Sequence, residues 1–179
     1  MRNLIVIVSL ISIGLLACNQ PTKPLSQKEQ VLAKIDSLET VLFADSEAKS
    51  DIKSGMNLIR SYAKFYQLSE KDSLAVDMLF KAGEVSMGIG QSNLAVKYFR
   101  TINEDHPEFY KAPEALFLSG FCEENLNNDT AQARFLYELF VEQFPKHKLA
   151  EDARFSIQNM GKSDEDLIRM FEENLEKGS

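Results

Sequence analysis

Apolar residues along most of this chain recur at helical spacing and not in the alternation of a strand. Leu94, Val96, Phe99 and Ile102 mark one such helix. Polar and helix-breaking residues interrupt the pattern at regular intervals. "GIGQSN" (88–93) carries Gly88, Gly90 and an expected N-cap, Ser92. Asp129 with Gln132, and Ser163 with Asp166, have the spacing that satisfies orphan N–H groups at a helix start. Pro107 and Pro145 stop helices, since proline lacks the amide and disfavours helix in the residue before it. Pro113 suits a first turn, where the missing N–H costs nothing.

The interruptions are periodic. Leu79, Phe80 and Gly83 return 37 residues later as Leu116, Phe117 and Gly120. Ala95, Phe99, Ile102 and Pro107 return at 38 as Ala133, Tyr137, Phe140 and Pro145. One extra residue therefore sits in the turn "NLNNDT". A third unit repeats Ala112, Ala115 and Phe117 at 38 as Ala150, Ala153 and Phe155, then continues through "SDEDLIRMFEENL" after a shortened turn at Gly161-Lys162. Such a period signals stacked supersecondary units that cannot bury their faces alone. The pattern predicts an all-α chain of antiparallel helix pairs, with repeats at about 73–107, 111–145 and 149–176.

Upstream, residues 26–72 read as N-terminal helices, a cap or a degenerate repeat. Ser26 and Glu29 form a capping box, and Val31, Ile35, Leu38 and Leu42 then lie on one stripe. That stripe suits either a helical cap on the array or a short coiled-coil arm. Leu58, Tyr62 and Phe65 repeat the second-helix pattern 37 residues ahead of Ala95, Phe99 and Ile102.

Ala-x3-aromatic followed by Pro, after a first helix bearing Leu-x2-small-Gly, resembles the tetratricopeptide repeat. Ala82, Gly83, Ser119, Gly120, Ala95 and Ala133 occupy that motif's close-contact positions. The chain departs from it in having no Trp, in Ser86 and Glu123 where Tyr is usual, and in a longer period. The divergent repeats of bacterial envelope proteins are similar. Among them are those of the periplasmic protein coordinating Tol-Pal with septal wall synthesis and of the lipoprotein in the outer-membrane β-barrel assembly machine. The resemblance implies a short solenoid whose first helices line a concave face. On that face Phe80, Phe117 and Phe155 form one column, Asp77, Glu114 and Asp152 a second, and Glu84, Phe121 and Asn159 a third. Asp77, Phe80, Glu84, Glu114, Phe117, Phe121, Asp152 and Phe155 are the candidate partner-binding residues, suited to a peptide with basic groups. The competing reading packs the Phe column between repeats and leaves the acids as stabilisers of helix N-termini.

The first residues differ from all this. The apolar run from Leu4 to Ala17, 14 residues behind Arg2, is short of the roughly 20 needed to span a bilayer and reads as a signal peptide over 1–17. "Leu-Leu-Ala-Cys" at 15–18 resembles the lipobox of bacterial lipoproteins. That resemblance implies cleavage before Cys18, lipid on its thiol and amine, and a tether over 18–25. An ordinary signal peptide with a chance cysteine is the alternative. Asn19 in place of Asp after the lipidated residue implies, by the enterobacterial sorting rule, the outer membrane, facing the periplasm.

Composition removes several classes. A net charge of −7 without basic blocks argues against nucleic acid as partner. Cys122 is the one thiol left once Cys18 is acylated, and its apolar helical setting suits a small buried hydrophobe. His106 and His147 flank the repeat-ending prolines without metal-ligand spacing, and no phosphate loop or nucleophile elbow is present. No cofactor and no catalysis are expected. The function expected is a membrane-tethered protein-interaction scaffold in the cell envelope, binding a protein or peptide. The alternative is a ligand- or glycan-binding lipoprotein of nutrient uptake.

Overall fold

The computed structural model describes residues 24–44, 51–70 and 72–177, and among them every regular element is a helix. These are α1 (Gln27–Ala44), α2 (Ile52–Leu68), α3 (Ser73–Gly88), α4 (Ser92–Asp105), α5 (Ala112–Asn125), α6 (Thr130–Gln143), α7 (Ala150–Asn159) and α8 (Asp164–Lys177). The substantial contacts run only between successive helices, from α1·α2 through α6·α7. This is a TPR-like helical solenoid, as the period requires.

The residues that recur at 37–38 are the ones inside. Leu58, Tyr62 and Phe65 of α2, Ala95, Phe99 and Ile102 of α4, and Ala133, Tyr137 and Phe140 of α6 are all buried. Gly83 lies so close to Phe99 that an added Cβ would stand 2.5 Å from the ring, and at Gly120 it would stand 2.9 Å from Tyr137. Small residues are therefore a geometric requirement of the α3–α4 and α5–α6 pairs.

The third pair lacks them. Continuing the spacing places Gln158 where Gly83 and Gly120 stand, and the fourth residue of the helix is Leu167 in α8 against Ala95 and Ala133 in α4 and α6. α8 forms, but none of its described side chains is buried and α7·α8 is not among the substantial contacts. Larger side chains thus stand at both close-approach positions of this pair.

At the other end, α1 lies on α2 with Ile35 and Leu42 buried against Leu58, Ile59, Tyr62 and Phe65. Its apolar stripe caps the array and does not project as an arm. The expected capping box is present: Ser26 N–H donates to Glu29 Oε2 at 2.7 Å, and Glu29 N–H to Ser26 Oγ at 3.3 Å. Asp129 Oδ1 likewise accepts from Gln132 N–H at 2.9 Å.

Ser92 does not cap α4. Gln91 holds the N-cap position without a side-chain bond, while the Ser92 hydroxyl donates to Asn127 in the following turn. The bond ties two turns a repeat apart. Gly90 (φ 73°) and Asn128 (φ 55°) give those turns the left-handed residues they need.

Candidate functional site

The odd-numbered helices lie side by side, and ionic contacts record their order. Lys28 in α1 donates to Asp72, the N-cap of α3, at 2.7 Å, and Lys81 in α3 donates to Glu39 in α1 at 2.9 Å. From α3 to α5, Lys111 Nζ donates to Asp77 Oδ1 at 2.9 Å and sits 4.7 Å from the Phe80 ring centroid. From α5 to α7, Glu114 Oε1 lies 3.4 Å from both His147 Nε2 and Lys148 Nζ, while Glu114 Oε2 is buried without a protein partner.

This arrangement corrects the sequence reading at Asp77, whereas Glu114 and Asp152 do lie in the first turns of α5 and α7. Asp77 lies in the second turn of α3, so it does not serve the helix N-terminus. Asp77 is instead a clasp between one repeat and the next, and Glu114 makes the corresponding contact from its first-turn position. The signal was present, since a lysine follows each of these acids by 34 residues, at Lys111 and Lys148. With 28% and 23% of the Lys111 and Asp77 side chains exposed, such a pair contributes about 1 kcal/mol or less. It fixes register more than it adds stability.

The aromatic column is graded. Phe80 is buried against Phe99, with ring centroids 5.5 Å apart, and is closed to a partner. Phe117 is half-buried against Tyr137 and Phe140. Phe155 in α7 is 52% exposed and Phe121 in α5 38%. Asp152 is exposed, and among the described residues no ion pair engages it. Of the candidates, therefore, Phe80 is core, Asp77 and Glu114 are clasps, and Glu84, Phe121, Asp152 and Phe155 face solvent.

Glu84 opens onto a feature that sequence reasoning did not find. A groove of about 600 Å³ runs between α1 and α3. Leu42, Phe43, Val85 and Ile89 give it apolar walls, and Tyr62 of α2 lies among its lining. The Tyr62 hydroxyl donates to Glu39, which also takes Lys81. Burial alone would raise the Glu39 carboxyl, but the bonds from Tyr62 and Lys81 outweigh it and hold the group below the usual range. Glu84 receives no such bond. Partial burial, only partly offset by the Lys111 and Lys81 charges, holds its carboxyl above the usual range.

A raised folded-state pKa contributes stability that is present below the unfolded value and lost as pH rises through the folded one. Glu84→Gln is thus expected to raise the melting temperature at neutral pH. The gain should vanish below about pH 4, where the unfolded carboxyl is protonated as well. Paired thermal melts at the two pH values check this.

Neither histidine nor the cysteine builds a reactive centre. His106 Nε2 lies 2.8 Å from the Tyr66 hydroxyl, and His147 packs edge-on to Phe140 beside Glu114. Cys122 is fully buried, and burial pushes its thiol up to about 11, away from a nucleophilic thiolate. Among the described residues no group of His, Cys, Asp or Glu is placed to hold a metal ion. No helix among them is long and apolar enough to cross a membrane. Cys18 and the run before it lie outside the described residues.

Stacked helix pairs with small residues at each close approach define an α-helical repeat scaffold, a class that is typically non-catalytic and mediates protein–protein interaction. Residues 114–147 match the tetratricopeptide repeat family, so the chain contains such a repeat, spanning α5, α6 and the turn that carries His147. No curated protein matches the chain.

Proposed function

We propose that the protein is a non-enzymatic scaffold of the bacterial cell envelope, tethered by lipid on Cys18, that holds an envelope protein along its α1–α3–α5 face. The observation that carries the reading is Glu84. It is a carboxylate beside an apolar groove, and the lysines nearest to it are already bonded, Lys81 to Glu39 and Lys111 to Asp77. A segment with a basic residue beside aliphatic or aromatic side chains supplies both the missing cation and the apolar filling. The matched repeat belongs to a class that binds proteins, which supports a protein partner. That the partner acts in division, wall synthesis or barrel assembly is part of the proposal.

Affinity capture from detergent-solubilised envelopes, run in parallel with the parent and Glu84→Lys, tests the groove. The parent is expected to retain a partner in a salt-sensitive way and the variant to lose it. Equal capture by both removes Glu84 from the site. The groove volume also favours a second reading, capture of a small molecule or glycan. Native mass spectrometry showing a bound small molecule, with no protein captured, would establish that reading instead.

The tether has its own test. Cys18→Ser is expected to leave an uncleaved or soluble product where the parent is membrane-held, because two or more acyl chains anchor stably and none anchors at all. Mass spectrometry of the mature N-terminus decides the matter. An unmodified Cys18 rules the lipid anchor out. The expected position at the outer membrane, facing the periplasm, is checked by fractionating the two membranes.

A further inference from the structure

The exposed edge of α7 is a third copy of the clasp that joins the repeats, and its occupant is absent among the described residues. At the first copy Asp77 and Phe80, three residues apart on α3, receive Lys111 at the start of α5. The lysine bonds Asp77 at 2.9 Å and covers the Phe80 ring at 4.7 Å, while the Tyr110 hydroxyl donates to the same carboxylate at 3.2 Å. At the second copy Glu114 and Phe117 occupy the same positions on α5, and His147 and Lys148 approach Glu114 just before α7 begins. At the third, Asp152 and Phe155 repeat the spacing on α7. Here the ring is 52% exposed, and the carboxylate is exposed and without an ion pair among the described residues.

We propose that this edge docks the start of a helix from a partner protein, one that carries a lysine in its N-terminal turn directly after an aromatic or histidine. The chemistry is read from the two filled copies, where a cation meets the acid and an aromatic or imidazole stands beside it. The partner's lysine supplies a cation over the Phe155 face and a charge for Asp152, as Lys111 does for Phe80 and Asp77. This surface is separate from the α1–α3 groove, so either can fail without the other.

The probe is a synthetic peptide of residues 107–125 with Cys122→Ser, the segment that fills the first copy. It is titrated into the full chain while backbone and aromatic resonances are followed by NMR. Saturable shifts are expected at Asp152, Phe155 and their neighbours on α7. A Lys111→Glu peptide is expected to bind about three- to tenfold more weakly. The Asp152→Lys chain should lose affinity for the first peptide and recover it for the second. Phe155 is solvent-exposed, so Phe155→Ala keeps the fold, as a thermal melt verifies, and is expected to weaken binding as well. No saturable shift up to about 1 mM peptide, shifts confined to other helices, or affinities indifferent to both charge changes would each overturn the proposal.

Discussion

Phe80→Ala is expected to lower stability by about 3–5 kcal/mol, whereas Phe155→Ala should change it by no more than about 0.5 kcal/mol. The two residues occupy the same position in the first and third units and differ only in what surrounds them. Phe80 is 4% exposed, packed on Phe99 and covered by Lys111, so truncation leaves a cavity that its neighbours cannot fill. Phe155 already faces water across half its surface. Phe117, half-buried against Tyr137 and Phe140, should fall between them. Urea melts of the three variants give the order directly. Equal losses at all three sites would mean that α7 is covered in solution as α3 is.

The second large effect lies at the close approaches. In an exposed helix interior Gly→Ala gains about 1 kcal/mol, because alanine is the better helix former. Gly83→Ala is expected to go the other way and cost about 1–3 kcal/mol, since the new methyl carbon would stand 2.5 Å from a ring carbon of Phe99. Phe99 is itself fully buried and has nowhere to turn. Gly120→Ala meets Tyr137 at 2.9 Å, and that ring is held by its hydroxyl bond to Glu124. Gly120→Leu should be worse than either. Gly88→Ala is the control, because nothing lies within 4 Å of its added carbon and a small gain is expected. A stabilised Gly83→Ala would show that the α3–α4 pair is looser than described.

The repeat was legible because it is written in residue size. A glycine facing an aromatic at a fixed interval fixes both helices of a pair, so the buried positions of α3 through α6 follow from the spacing alone. Side chains that reach across units were harder to read. Asp77 looks like a helix-start acid or a ligand until Lys111, remote in sequence, is seen to arrive at it. Ser92 looks like a cap, yet its hydroxyl leaves its own helix for Asn127. The α1–α3 groove was hidden for another reason. It depends on how far apart two helices settle, and that distance is set by Tyr62 and its neighbours on α2, which no single-helix pattern reports. The third pair's departure from small residues was visible in Gln158 and Leu167, but only after Gly83 and Ala95 had been given their geometric meaning.

Packing whose substantial contacts run from each helix to the next also determines how the molecule meets a pull. Tension along the chain loads the helix interfaces one after another, like the teeth of a zipper, and never all at once. The end at α7 and α8, where no described side chain of α8 is buried, should part at the lowest force, and the aromatic layers under Phe99 and Tyr137 should follow as distinct later steps. A load applied through the C-terminal helices would therefore peel α8 away while α1 to α4 kept their shape. In an optical trap the extension trace should rise in a staircase, its first step small and readily reversible.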